Sequence, residues 1–311
     1  MKLRAILIVI ALIAVLSIAF GGIYFVTSLR KSIITIHERK ADFNTQFIRD
    51  NIERFIEMND RSVLALASIE EVKTVLESPD SKTIADVNII LDKFRDIYEA
   101  EACYLMDAKG KTIASTNRNQ SDSFVGKSYS FRPYFKRSLK GDSAVYMAVG
   151  KTTGKKGVFN SCPVYGNDNK AIVGVAVIKT SVKYIEDQLA SEQDVLISLV
   201  GPEGLIFVSN CSYWVLKLIW KIPDSEQVEL AKTEQFGAGP WKWIGVKKIK
   251  GNEVVDDYKN RYRIYKYELK NCPAWSVVSF LHKESVFTAL NVRFVNNAEY
   301  IVVFLCFCIG L

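Results

Sequence analysis

The feature that most constrains this chain is an uninterrupted apolar stretch near its start. Residues 5–26 contain no charged side chain, and Lys2 and Arg4 precede them. As an α-helix this stretch would be about 33 Å long, enough to cross a bilayer core of about 30 Å. The alternative is a cleaved signal peptide, whose apolar part is shorter, about 7–15 residues, and precedes a small-residue cleavage site. The sequence therefore favours an uncleaved transmembrane helix.

A second apolar stretch occupies the other end, from residue 300 to 311. Its helical length would be only about 18 Å, so we expect it to be the start of a second transmembrane helix. The chain would then be the front part of a longer protein, or a truncated product. Long loops are exported largely regardless of their charge, which allows residues 27–298 to lie outside the membrane with the N-terminus inside.

Composition and motifs exclude several classes of function. The 41 basic and 34 acidic residues are spread along the chain, whereas nucleic-acid binders gather basic residues on one element. The only two histidines, His37 and His282, leave little for zinc chemistry. HExxH, GxSxG and paired CxxC motifs are missing from the sequence, and Val145 stands where a P-loop ending at Gly150 would need glycine. We therefore expect no catalytic residue, metal, cofactor or nucleic-acid partner.

Helical periodicity dominates the residues that follow the first apolar stretch. Apolar side chains recur three or four residues apart over residues 43–69, and again over residues 84–98. Pro79 is expected to end the first of these helices, which would run to residue 78. We predict stalk helices over residues 30–100. A helix this long, starting at a membrane, can also carry the interface of a homodimer.

After Glu101 the pattern changes to short β-rich runs separated by turns. This pattern repeats, because residues 105–116 align with 199–210 at an offset of 94, and 175–182 align with 279–286 at an offset of 104. Two tandem units of the same architecture explain both matches. We predict an α+β fold in which a long N-terminal stalk helix carries two PAS-like antiparallel-sheet modules, flanked by transmembrane helices.

The six cysteines are too few for a disulfide scaffold. Cys306 and Cys308 lie in the second apolar stretch and are expected to be free. Of the remaining four, Cys211 and Cys272 are the better candidates for a disulfide because both flank strands of the second unit. Free thiols at both positions are the alternative.

The densest polar chemistry lies in the first unit. Tyr129 and Arg132 are three residues apart at a helix start, so both can face one side, and Lys179 ends an apolar strand. A buried charge without a role would be costly there. Arginine offers a planar fork for a carboxylate, and lysine offers a point charge for a second one. The equal alternative is that Arg132 and Lys179 simply face solvent. The candidate ligand-binding residues are Tyr129, Arg132, Tyr134, Thr152, Thr153, Phe159, Ser161 and Lys179.

These residues resemble those of a known family. The runs SYSFRPYFKRSLKG, VYMAVGKTTGKKGVFNSCPV and IVGVAVIKTSV are similar to the membrane-distal module of double-Cache sensor domains, of the type in C4-dicarboxylate-sensing histidine kinases. The PEG turn, Trp214, the QFG run and the AWSVVSF strand follow that family's order over about residues 30–298. In such domains the ligand sits in the distal module, held by residues that match Tyr129, Arg132, Thr152–Thr153, Ser161 and Lys179.

The resemblance also implies a ligand class. Amino-acid-binding double-Cache domains carry an aspartate near the position of Lys179, which holds the ammonium group of the ligand. A lysine repels an ammonium, so the resemblance favours an organic acid without an amine. The run KTTGKK is more basic than usual in dicarboxylate sensors.

The resemblance implies the following organisation. It comprises a cytoplasmic tail and first transmembrane helix (1–29), stalk helices (30–100), a membrane-distal ligand-binding Cache module (101–190), a membrane-proximal Cache module (191–297) and the start of a second transmembrane helix (298–311). The expected function is the periplasmic sensing region of a receptor in the inner membrane of a bacterium. It would bind a small organic acid and signal as a homodimer to a histidine kinase core absent from this chain.

Other functions remain open at this point. The output module could instead be that of a chemoreceptor or a diguanylate cyclase, or the chain could be a membrane-tethered binding or adhesion module without output. An exported hydrolase is the third class, and the missing nucleophile–base pairs argue against it.

Overall fold

The computed structural model describes residues 2–168 and 170–283. Three helices come first: α1 (Lys2–Ala67), α2 (Glu70–Glu77) and α3 (Ser81–Ile97). The expected helix end at Pro79 is wrong for α1, because the helix already stops at Ala67 and resumes after Ile69, whose backbone is extended. The Ser68 hydroxyl donates to the Ala65 carbonyl at 2.7 Å and so competes with the helical hydrogen bonds at this point.

The segment predicted to cross the membrane, residues 5–26, lies in the first part of α1. No helix within the described residues is long and apolar enough to span a bilayer. The second predicted span, in residues 298–311, lies outside the residues that the structure describes.

The first sheet has five antiparallel strands in the order β2-β1-β5-β4-β3. Their bounds are β1 (Ala102–Asp107), β2 (Thr112–Ser115), β3 (Ala144–Val149), β4 (Lys156–Tyr165) and β5 (Ile172–Ser181), with the short helix α4 (Pro133–Ser138) between β2 and β3. Side chains alternate along β5: Ala176 and Ile178 pack against the helices, whereas Val175 and Val177 face an aromatic cluster on the other side. Both faces of this sheet are therefore buried.

The second sheet repeats this arrangement with the order β7-β6-β11-β10-β9-β8. Its elements are α5 (Lys183–Ala190), β6 (Leu196–Val200), β7 (Ile206–Ser209), α6 (Asp224–Lys232), β8 (Lys247–Lys248), β9 (Glu253–Val255), β10 (Arg261–Glu268) and β11 (Ser276–His282). The hairpins β1–β2 and β6–β7 start 94 residues apart, and β5 and β11 start 104 residues apart. In each sheet the last strand pairs with the first. The two antiparallel sheets predicted from the repeat are thus present.

The four cysteines of the described residues are buried free thiols. The disulfide considered for Cys211 and Cys272 is wrong. Cys211 packs with Trp214 and Phe280, whereas Cys272 packs with Trp275 in a different cluster, which also contains residues of α1. Proximity of two cysteines to strands of one sheet does not show which face each side chain occupies.

The end of α1 provides a matched test of stalk packing. Leu66 is completely buried against the first sheet, whereas Leu64, two residues away, is 58% exposed. We expect Leu66→Ala to lower the free energy of unfolding by about 2–5 kcal/mol, because it leaves a cavity in the core. Leu64→Ala should change it by less than about 0.5 kcal/mol. Denaturant unfolding of both variants measures this difference, and equal effects would show that α1 does not pack as described.

Candidate functional site

A tight turn before α4 fixes two of the predicted residues. The Tyr129 amide donates to the Gly110 carbonyl at 2.9 Å, and the Arg132 amide donates to the Tyr129 carbonyl at 3.0 Å. Gly110 has φ +83°, and a Cβ at this position would lie 2.7 Å from the Ser130 backbone, so glycine is needed for this close approach. Arg132 precedes Pro133 with an extended backbone, so its side chain leaves the chain at the very start of the helix.

A small cavity lies between this turn, the aromatic face of the first sheet and the loop of residues 150–155. We call it the Arg132 cavity; its free volume is about 20 Å³, room for about one water molecule. It is lined by Tyr104, Phe124, Tyr129, Arg132, Tyr134, Gly150, Lys151, Thr152, Thr153, Phe159 and Lys179. Seven of the eight predicted site residues therefore lie together.

Ser161 is the exception. It lies on β4 two residues after Phe159 and is fully buried, but it does not line the cavity. Its hydroxyl is 2.9 Å from that of Ser138, and it also contacts the carbonyls of Tyr134 and Ala144 at 3.3 Å. Ser161 therefore fastens α4 to the sheet.

Lys179 is only 2% exposed, and its charge is compensated. It forms an ion pair with Glu101, donates to the Thr153 hydroxyl at 3.3 Å, and lies 5.7 Å from the centre of the Phe159 ring. Glu101 was not among the predicted residues. The register explains its position, because the Glu101 amide donates to the Lys179 carbonyl at 2.8 Å just before β1 begins. A buried ammonium is stable only with such partners.

Arg132 is the cation of the cavity that has no anionic partner. Its side chain is 3% exposed and donates to the carbonyls of Val149 and Glu234, both at 3.3 Å, and it lies 6.0 Å from the centre of the Tyr146 ring. The guanidinium lies 5.2 Å from the centre of the Phe131 ring. Within residues 2–168 and 170–283, no carboxylate pairs with it. Guanidinium carries five N–H donors, so most of its capacity to bind an anion remains.

The phenols of the cavity are hydrogen-bond donors. The hydroxyls of Tyr104 and Tyr134 are 2.8 Å apart, and that of Tyr129 is 2.8 Å from the Thr152 hydroxyl. Burial raises the pKa of Tyr104, Tyr134 and Tyr129 above the ordinary value of tyrosine. All three therefore stay neutral at pH 7 and keep their O–H groups. Neutral donors beside a guanidinium suit an anionic ligand.

The loop of residues 150–155 closes the cavity. It folds back on itself, since the Gly150 amide donates to the Lys155 carbonyl at 2.8 Å and the Gly154 amide donates to the Gly150 carbonyl at 2.7 Å. Thr152 and Thr153 attach it to Tyr129 and Lys179, as described above. Lys151 extends the contact to the second half of the chain, because it pairs with Glu234 at 2.6 Å. The loop therefore touches both the cavity and the segment after α6.

Four residues that line the Arg132 cavity were not predicted from the sequence. Tyr104, Phe124, Gly150 and Lys151 line the cavity but were not among the predicted residues. The position of Tyr104 follows from the pairing of β1 with β5. Tyr104 lies opposite Val177, which is two residues from Lys179 and therefore on the same face of the sheet. Phe124, Gly150 and Lys151 lie in loops, where no regular periodicity predicts which residues face a cavity.

The chain has two PAS-like antiparallel sheets on a long helix, with a cavity over one of the sheets. This architecture is that of a class of sensor domains. The family model dCache_1, a Cache domain, matches residues 25–290. The chain therefore belongs to the Cache domain family.

Two curated proteins are similar to this chain. One is the C4-dicarboxylate transport sensor protein DctB of Rhizobium meliloti (strain 1021), 26% identical over 198 residues, which cover 62% of this chain and 31% of that protein. The other is the protein of the same name from Pseudomonas aeruginosa, 26% identical over 150 residues, which cover 48% and 24%. The chain thus spans about a third or less of the length of these relatives.

Solved structures share the fold. The sensor domain of the V. cholerae histidine kinase DctB superposes with a TM-score of 0.72 at 21% identity, covering 81% of this chain and 98% of that domain. The ligand-binding domain of the Pseudomonas fluorescens chemoreceptor CtaA, in complex with L-isoleucine, gives 0.58 at 17% identity, covering 84% and 98%. The sensor domain of a histidine kinase and the ligand-binding domain of a chemoreceptor therefore share this fold.

The ion pair of Lys179 makes a testable contribution to stability. Replacing one partner of a buried pair is costly, and because Glu101 is 27% exposed we expect Glu101→Gln to lower the free energy of unfolding by about 1–3 kcal/mol. Lys179→Met in the same protein should recover most of this loss, because the buried charge is then gone. Glu99→Gln, at an exposed position two residues earlier, is the control. Denaturant unfolding without ligand measures all three, and a loss no larger than that of the control contradicts the pairing.

Proposed function

We propose that this chain is the extracytoplasmic sensing region of a bacterial transmembrane receptor, and that it binds a small dicarboxylate in the Arg132 cavity. The main support for the proposal is the buried Arg132 guanidinium, which donates to two backbone carbonyls and pairs with no carboxylate of the described residues. Two relatives bear the name C4-dicarboxylate transport sensor, which supports the same ligand class. The extracytoplasmic part would comprise residues 27–298, and the output core of the whole receptor would be a histidine kinase.

The charges of the site favour a dicarboxylate over an amino acid. One carboxylate would form a bidentate pair with the guanidinium of Arg132, and the hydroxyls of Tyr129 and Tyr134 would donate hydrogen bonds to its oxygens. The second carboxylate would compete with Glu101 for Lys179. An ammonium would meet three cations, Arg132, Lys151 and Lys179. The nearby carboxylates of Glu101 and Glu234 are already paired with Lys179 and Lys151. Arg132 is therefore the main anchor, and Lys179 contributes less because binding must displace or share its existing partner.

Ligand entry must move the loop of residues 150–155. The free volume of about 20 Å³ is too small for an acid of four carbons, and the contacts of Thr152 and Thr153 hold the loop closed. Opening the loop also affects the contact of Lys151 with Glu234. We propose that exchange of the ligand thereby alters the contact between the two modules. A ligand biases such an equilibrium only by its different affinities for the two states.

Substitution of Arg132 tests the ligand site. A charge-assisted hydrogen bond is worth about 1.5–3 kcal/mol, so Arg132→Ala should weaken succinate binding roughly ten- to a hundredfold. Arg132→Lys should not restore it, because a point charge cannot reproduce the fork. The measurement is isothermal titration calorimetry on the full chain in detergent micelles, with succinate, malate and fumarate.

The control for this experiment is Lys136→Ala, which removes an exposed charge from the same helix. Succinate binding should be unchanged in this variant. If succinate binds but Arg132→Ala binds it as tightly as the unmodified chain, the ligand occupies another site. If amino acids bind in this cavity and organic acids do not, the proposed ligand class is wrong.

An apolar stripe on α1 supports a homodimer through the stalk. Ile36, Phe43, Phe47 and Met58 are all more than half exposed. At 3.6 residues per turn their positions fall within about 60° of the helix circumference, so they form one face. Phe43 and Phe47 stack on each other with ring centres 6.4 Å apart. We propose that this face pairs with the same face of a second copy, since a two-fold interface is self-complementary.

The dimer proposal predicts the behaviour of Phe47→Glu. A charge at the centre of the stripe would be desolvated in the dimer, so we expect this variant to be monomeric or at least tenfold weaker in association. Val228→Glu is the control, because Val228 is 54% exposed on α6 and lies off the stripe. Sedimentation equilibrium of the full chain in density-matched detergent gives the association constants. Equal association of the two variants would mean that α1 does not form the interface.

A further inference from the structure

A second cavity lies where the stalk meets both modules, and it shares no lining residue with the Arg132 cavity. We call it the junction cavity; its volume is about 450 Å³. Its walls come from Glu57 and Asp60 of α1, Arg137 of α4, Val145 of β3, and Trp275 next to the turn between β10 and β11. A volume of this size suits a small organic molecule.

Asp60 provides an unused anion in this cavity. Its Oδ1 is buried and has no hydrogen-bond partner among the described residues. Burial, followed by the nearby charge of Glu57, raises the pKa of the Asp60 carboxyl. Asp92 shows the contrast: Arg118 donates to both of its oxygens, at 3.0 and 2.6 Å, and holds its pKa below the ordinary value. The protein supplies a counter-charge to Asp92 and none to Asp60.

Arg137 provides an unused cation at the same cavity. It is exposed, and its guanidinium has no hydrogen bond or ion pair within residues 2–168 and 170–283. Asp60 and Arg137 both lie close enough to the Cys272 thiol to affect its pKa, in opposite directions, so the two charges flank one space. Burial raises the pKa of Cys272 to about 12, so the thiol stays neutral.

No group of three or more His, Cys, Asp or Glu in the described residues is placed to hold a metal ion. An organic ammonium needs fewer ligands and tolerates looser geometry. Ile56, Val145 and Trp275 add apolar wall between the two charged ends. The cavity therefore offers an anion, a cation and an apolar surface.

We propose that the junction cavity binds a small zwitterion, an α-amino acid with an apolar side chain. Its ammonium would pair with Asp60, since Glu57 is already paired with Arg61 at 2.6 Å. Its carboxylate would pair with Arg137, and its side chain would pack on Ile56, Val145 and Trp275. Such a ligand would touch the stalk and both modules at once. This site is separate from the dicarboxylate site proposed above and does not depend on it.

The test uses three matched probes and the full chain in detergent micelles. L-valine carries both charges, isovalerate lacks the ammonium, and isobutylamine lacks the carboxylate. Calorimetry should show binding of L-valine, with isovalerate and isobutylamine at least tenfold weaker. Asp60→Asn and Arg137→Gln should each weaken L-valine binding roughly ten- to a hundredfold. Asp86→Asn, an exposed carboxylate on α3, should leave it unchanged.

A stability measurement separates loss of the site from loss of the fold. The raised pKa of Asp60 means that its ionised form is less stable in the folded protein than in the unfolded chain. Stability from this group is present at low pH and is lost as pH rises through the folded pKa. Asp60→Asn should therefore raise the melting temperature without ligand at pH 7, and this gain should shrink toward acid pH.

Two results would overturn the proposal. One is that L-valine does not bind the unmodified chain. The other is that L-valine binding survives Asp60→Asn but is lost in Arg132→Ala, which would place the amino acid in the Arg132 cavity. Loss of succinate binding in Arg132→Ala, with L-valine binding intact, supports two separate sites.

Discussion

Both sheets of this protein are built against one helix, and the rest of the architecture depends on that contact. Ile48, Ile52 and Ile56 of α1 belong to a single buried cluster that also contains Val158 of the first sheet and Val277 of the second. The modules therefore share a continuous core with the helix. Burial of apolar side chains is the main favourable contribution to folding. Displacement of one module along α1 would therefore expose apolar surface of the helix and of that module.

The two buried cations of the first module, Lys179 and Arg132, have different partners. Lys179 is fully enclosed, and Glu101 and Thr153 meet its charge. Arg132 is as deeply buried, yet its partners are two neutral carbonyls. A guanidinium is more weakly hydrated than an ammonium, so it tolerates this environment better than a lysine would. Under the proposed function, a carboxylate would form a stronger, charge-assisted pair with it than these carbonyls do.

Much of the fold could be predicted from periodicity, because periodicity reports which face of an element is apolar. The repeat predicted both sheets. Lys179 lines the cavity, although it lies two residues before the end of β5 and not at the strand end that the sequence predicted. Periodicity does not predict which residues far apart in the sequence contact each other. Glu101 and Lys179 are 78 residues apart, and only the β1–β5 pairing brings them together. The Ser161 hydroxyl looked available for a ligand, but Ser138, on a separate helix, already takes it.

Contacts between residues far apart in the sequence also explain why two predictions were wrong: the helix end at Pro79 and the disulfide between Cys211 and Cys272. Pro79 is a strong helix breaker, but α1 stops earlier because burial of Leu66 and Val72 against the first sheet requires a change of direction between them. Cys211 and Cys272 both lie near strands, but the sheet separates their side chains. In each case tertiary packing decided between local alternatives that the sequence left open.

The segment after α6 connects the Arg132 cavity to the second module through several independent contacts. The Glu234 carbonyl accepts from Arg132, and its carboxylate pairs with Lys151. The next residue, Gln235, donates from its side chain to the Met147 carbonyl at 2.8 Å and accepts from the Val149 amide at 2.8 Å. In the proposed complex, an anion at Arg132 would lie beside the nitrogen that donates to the Glu234 carbonyl. If binding changed this contact between the modules, the position of the second module would by reciprocity affect the affinity for the anion.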